Sequence, residues 1–207
     1  YPLYFTGVMP KVNSLQKLVI FDFDGTLADT LPRAVEILNG LADEFGFRKV
    51  VASQIQRLRG MSVREILHAL DISILKAPRV LARIHVELAS DIAHLSPISG
   101  MKNVVLQLQK KGFLLAIVTS NTEKMVRVFL KKRNMDVFDS VHAVSVFGKA
   151  KALRRVIKKF GVLPSDTFYA GDEVRDIEAA HKTHVSAIAV TWGLNSKKAL
   201  QKKKPEF

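Results

Sequence analysis

The segment that most constrains the fold of this chain is LVIFDFDGTLADT, from Leu18 to Thr30. Leu18, Val19, Ile20 and Phe21 form an unbroken apolar run, the pattern of a central parallel strand covered on both faces. The run delivers two carboxylates, Asp22 and Asp24, into a turn at Gly25, a residue free to take backbone angles that others resist. Acids at the end of a buried strand are costly to hold there unless a cation or a reaction uses them. Ligands of open α/β sheets bind beyond the carboxyl ends of the strands, where Asp22 falls.

A carboxylate so placed can attack phosphorus and form an aspartyl-phosphate. Asp24, one step into the loop, can protonate the departing oxygen and later deprotonate a water. Thr26 is expected to orient the acid and to help bind substrate. A plain turn of Asp, Gly and Thr is the competing reading, and the preceding apolar strand disfavours it.

Beyond Thr30 the chain carries no strand signal for some 70 residues. Pro32 suits the first turn of a helix. Val35, Leu38, Leu41, Ala42 and Phe45 follow at helical spacing, and Gly46 is a natural stop. Further helices are expected near 52–58, 62–70 and 76–95, with Ser62 and Glu65 as a capping box. Ser96-Pro97-Ile98-Ser99-Gly100 reads as a hinge. From Met101 helices and strands alternate, with helices at 104–111, 123–133, 150–160 and 176–182 and strands at 113–119, 140–146, 167–170 and 187–191, which implies a mainly parallel sheet covered on both faces. The expected architecture is an α/β, Rossmann-like core (17–31 and 99–207) with an inserted all-helical cap (32–98), after an N-terminal extension (1–16) in which Met9 is a possible native start.

Charge and cysteine content bound the function. The net charge is +13, part of it in a lysine-rich tail and part at Arg154, Arg155, Lys158 and Lys159. A basic balance favours anionic partners, but no RNA-binding aromatic motif or zinc-finger spacing accompanies it, so nucleic acid is the less favoured partner. The chain has no cysteine, which excludes disulfides and thiolate catalysis and suits a reducing, cytoplasmic setting. No apolar run approaches the ~20 residues of a membrane span, and no secretory signal pattern is visible.

The string DFDGTLADT resembles the first motif of the haloacid dehalogenase superfamily, whose members are mostly magnesium-dependent phosphatases. Three later segments extend the resemblance in order. Thr119, ending LLAIVTSNT, matches the second-motif residue that binds a phosphoryl oxygen, with Ser120 and Asn121 adding donors for substrate. Lys149, in FGKAKAL, matches the charge-neutralising lysine. The usual prolines are replaced by Ala150 and Ala152, which leaves Lys151 as a competitor. GDEVRD (171–176) matches the fourth motif, G-D-x-x-x-D.

The resemblance implies Mg²⁺ held by Asp22, the Asp24 carbonyl and Asp172, with Asp176 supporting the metal site, and catalysis by Asp22, Asp24, Thr119 and Lys149. It implies a small phosphorylated metabolite as substrate, as in phosphoglycolate phosphatases, and a monomer or homodimer. Arg59 and Gly60, in a cap loop, are expected to contact substrate; Arg57, Arg59 and Arg64 are candidates for a second anionic group. His85 and His94 read as structural residues of the cap, and Glu173 as either near the metal site or solvent-facing. Phosphoglucomutase-like phosphoryl transfer and a nucleic-acid-end phosphatase are the alternatives.

Overall fold

A computed structural model describes residues 16–145 and 148–207. Met9 and the extension before Gln16 lie outside the described residues. Five parallel strands, β1 (Leu18–Phe21), β2 (Leu114–Thr119), β3 (Ser140–Ala143), β4 (Thr167–Gly171) and β5 (Ser186–Ala189), form one sheet in the order β3-β2-β1-β4-β5. The chain builds outward from β1 on one side, then crosses to the other for β4 and β5. The carboxyl end of β1 therefore lies at the switch point, where an open sheet leaves a crevice.

Strand periodicity divides the core into two layers. Val19, Phe21, Leu115 and Ile117 face α5 (Met101–Lys110) and α6 (Glu123–Lys132), packing with Val105, Val126 and Phe129. Leu18, Ile20, Ala116 and Val118 face α7 (Lys149–Phe160), α8 (Val174–His181) and α9 (Lys197–Gln201), packing with Leu153, Val156, Ile177 and Leu200. Burial on both faces is why β1 and β2 read as continuous apolar runs.

Four helices occupy the segment between β1 and α5: α1 (Leu31–Phe45), α2 (Ala52–Leu58), α3 (Val63–Ala69) and α4 (Ala77–Asp91). They carry clusters of their own, one around Val50, Leu58 and Leu70 and one joining α1 and α4 through Ile37, Leu41, Val80 and Leu88. Gly46 stops α1 in the left-handed conformation, and Ser62 and Glu65 form the reciprocal cap of α3. The entering and leaving chains run side by side: Asp29 N–H donates to Ser96 O at 2.9 Å, and Ile98 N–H to Leu27 O at 2.9 Å.

Several bounds differ from the sequence reading. β3 ends at Ala143, and Val146 lies outside the described residues. α8 begins at Val174 because Glu173 and Asp176 cap its first turn reciprocally. The lysine-rich tail contains helix α9, anchored by buried Leu200 and a Lys203–Glu178 ion pair of 2.8 Å. Among the described residues, no helix is long and apolar enough to cross a membrane.

Candidate active site

Asp22 leaves the carboxyl end of β1 with its own N–H bonded to Ala170 O of β4 at 2.8 Å, so the sheet ladder fixes its direction. Asp172 follows β4 directly, and Asp176 projects from the first turn of α8. Carboxylate oxygens of the three lie within 4.8 Å of one another. All three residues are buried, at 4%, 1% and 1% exposure.

Lys149, at the start of α7, is buried with them and bridges two: its Nζ lies 2.6 Å from Asp22 Oδ2 and 2.5 Å from Asp176 Oδ1. Asp176 Oδ1 also accepts from the Tyr169 hydroxyl at 3.0 Å, and its Oδ2 from Glu173 N–H. Asp172 accepts from the Thr26 hydroxyl at 3.0 Å and from Leu194 N–H at 2.7 Å. Lys149 rather than Lys151 thus occupies the centre, and Thr26 holds Asp172. Thr119, fully buried at the end of β2, accepts from Asn121 N–H at 2.9 Å.

Glycine makes room for this cluster. A Cβ at Gly25 or Gly193 would collide with the Asp172 carboxylate, and one at Gly171 with Asp176. Gly25 also has φ +70°, which side chains resist.

The electrostatics are those of crowded acids. Burial pushes the Asp22 carboxyl well above the usual range; Lys149 pulls against this, and Asp176 and Asp172 add to it. Burial, with Asp176 and Glu173, raises Asp172 to about 7. Burial raises Asp24 as well, while His85, Lys149 and hydrogen bonds from Asn121 and Thr30 act the other way. Burial disfavours the Lys149 charge, but Asp176 and Asp22 together outweigh it and hold its pKa well above the ordinary value.

Three carboxylates facing one ammonium carry a net charge of −2 when all are ionised. An all-oxygen donor set with that charge, kept clear by glycines, suits a hard divalent cation such as Mg²⁺. The Asp24 carboxylate stands outside the trio. Its Oδ1 is buried without a hydrogen-bond partner.

A cavity of about 230 Å³ opens beside the trio. Asp24, Gly25, Ser120 and Asp172 line it from the core; Leu31, Ala34, Leu81, Ile84 and His85 line it from α1 and α4. Glu173, Arg175 and Leu194 complete the wall. Sequence reasoning assigned His85 a structural place and passed over Arg175. Helical spacing says which residues share a face, not which cavity the face meets; the signal for Arg175 was its position inside GDEVRD.

Arg59 and Gly60 lie outside this cavity. Arg59 straps the inserted helices to the core: its guanidinium donates to Thr191 O at 2.8 Å, and its carbonyl accepts from Ser196 N–H and the Asn195 amide. Gly60 lines a separate pocket beside α8 and α9.

A parallel five-stranded sheet with acids gathered at the ends of β1 and β4 defines an α/β, Rossmann-like core with its candidate site at the switch point. A family described as haloacid dehalogenase-like hydrolase matches residues 19–190, and the chain belongs to that family. It is 33% identical over 191 residues to a phosphoglycolate phosphatase of Synechococcus elongatus, covering 91% of this chain and 90% of that protein. It is 26% identical to a phosphoglycolate phosphatase of Xylella fastidiosa, covering 90% and 85%. Its fold is similar to that of a haloacid dehalogenase-like hydrolase from Streptococcus pneumoniae, with a TM-score of 0.77, 18% identity and 92% of each chain covered.

Proposed function

We propose that this protein is a magnesium-dependent phosphatase that hydrolyses a small phosphorylated metabolite through an aspartyl-phosphate on Asp22, with phosphoglycolate the first substrate to test. The observation that carries the reading is the buried Asp22–Lys149–Asp176 bridge with Asp172 beside it, at the end of a central strand and next to the cavity that holds Asp24.

Asp22, Asp172 and the Asp24 carbonyl would hold Mg²⁺, with Asp176 fixing Lys149 and the site's charge. When bound, the cation supplies positive charge that relieves repulsion between an anionic nucleophile and an anionic ester. An Asp22 oxygen bonds to phosphorus while the ester P–O bond breaks, and the departing oxygen takes a proton from Asp24. Burial keeps that proton on Asp24 to higher pH than an exposed acid would retain it. Asp24 then takes a proton from a water whose oxygen bonds to phosphorus. The P–O bond to Asp22 breaks, freeing inorganic phosphate and restoring the carboxylate.

Thr119, Ser120 and Asn121 offer donors to the phosphoryl oxygens, and Lys149 balances their charge. Residues 32–98 act as a cap over the core of 17–31 and 99–207, hinged where Asp29 and Ile98 pair with Ser96 and Leu27. Its apolar side chains exclude water around the alcohol half of the ester.

The test is phosphate release from a panel of phosphorylated metabolites, phosphoglycolate included, in Mg²⁺ and in EDTA, beside Asp22→Asn. Turnover that needs Mg²⁺ and Asp22 supports the reading. Turnover of none of the panel by folded protein overturns it, and phosphoryl transfer only to a second sugar phosphate points to a mutase.

A further inference from the structure

The cavity poses a charge problem for an ester whose alcohol half is itself anionic. Lys149 is engaged by Asp22 and Asp176, and α4 contributes apolar Leu81, Ile84 and Leu88. Leu194 adds another apolar wall. Two basic side chains line the cavity: Arg175 from α8 and His85 from α4.

Arg175 is half-buried. Its Nη2 donates to Glu173 Oε1 at 2.5 Å, and its Nε is buried without a hydrogen-bond partner. The Arg175 side chain lines the cavity wall, and a guanidinium offers paired donors in the geometry a carboxylate accepts. Burial disfavours the Arg175 charge, but Glu173 above all, then Asp176 and Asp22, raise its pKa, so the charge lies within electrostatic reach of the acid cluster. His85 lowers the Asp24 pKa and so stands within the same reach.

We propose that Arg175, with His85 as a second donor, receives an anionic group on the alcohol half of the substrate, so that this enzyme prefers short phosphate esters bearing a carboxylate. The inference rests on the phosphatase reading. It moves the anion receptor from the cap arginines to the core: Arg59 lies outside this cavity and is committed to Thr191 O. Arg175 binds and positions the substrate and takes no part in proton transfer.

The test compares kcat/KM for phosphoglycolate with that for ethyl phosphate, which has the same two-carbon alcohol without the carboxylate. Wild type is expected to favour phosphoglycolate. Arg175→Gln is expected to cut the ratio about tenfold or more, chiefly through KM for phosphoglycolate, as for a lost charge-assisted pair. Arg175→Lys is expected to recover part of it. If Arg175→Gln does not fold, His85→Gln decides, since His85 is exposed on α4; it is expected to lower the ratio about threefold. A ratio within about twofold of wild type in the folded variant, or a wild type with no preference for phosphoglycolate, overturns the receptor while leaving a phosphatase. Hydrolysis of neither ester overturns the phosphatase reading and the receptor with it.

Discussion

Gly193 shows how closely single residues set this site. Any Cβ there would strike the Asp172 carboxylate, which Leu194 N–H and Thr26 otherwise hold in place. Gly193→Ala is therefore expected to weaken Mg²⁺ binding about tenfold or more, as displaced ligand geometry does, while the fold survives. The check is the rise in melting temperature on adding Mg²⁺, large in wild type and small in the variant. Asp24→Asn tests the proton donor. It is expected to slow the first step with alkyl phosphates about 10²–10⁴-fold and to spare the rapid first release of p-nitrophenol from p-nitrophenyl phosphate, whose leaving group needs little protonation, while the later hydrolysis slows with both. Equal losses in the first step on both esters would remove Asp24 from the donor role. The acids were legible in the sequence because Asp22 and Asp24 sit in one string after an apolar strand, and Asp172 and Asp176 in another. His85 and Arg175 were not, because their meeting depends on where α4 settles over the core, which no local pattern encodes.

At the scale of elements, capping and crossing contacts decide the bounds. The alternation after Met101 and the apolar runs of β1 and β2 made the parallel sheet readable, as did Gly46 and the Ser62–Glu65 box for the inserted helices. The start of α8 was misplaced because its cap is made by Glu173 and Asp176, acids read as metal-site residues. Asn195 adds a contact that no spacing reveals: it accepts from Val174 N–H at 2.9 Å and donates to Arg59 O at 3.3 Å, joining α8 to the end of α2. Asn195→Ala is expected to cost about 1–2 kcal/mol, measured by urea denaturation. A change near zero would mean that the Arg59–Thr191 and Ser196–Arg59 bonds hold this junction unaided.

At the scale of the whole molecule, the clustered buried carboxylates weigh on stability. Asp172 titrates near 7 in the folded protein, chiefly through burial, against about 4 in an unfolded chain. Between those values the folded form binds more protons, so metal-free stability falls as pH rises from about 4 to about 7. Asp22, raised in the same direction, adds to the fall. Asp172→Asn in EDTA should flatten that slope relative to wild type, and an unchanged slope would show that the buried acids do not carry it. A divalent cation offsets the same repulsion, so stabilisation by Mg²⁺ should grow over this range. The fold thus holds a cluster under charge stress at the sheet's switch point, next to a cavity partly lined by α1 and α4.

The most direct measurement is to quench a single turnover in acid, reduce the acyl phosphate with borohydride and map the modified residue by mass spectrometry. An aspartyl-phosphate at position 22 predicts homoserine there, dependent on both substrate and Mg²⁺ and abolished in Asp22→Asn. Turnover that proceeds with Asp22 unmodified in every quenched sample would mean that water attacks phosphorus directly, and would contradict the account.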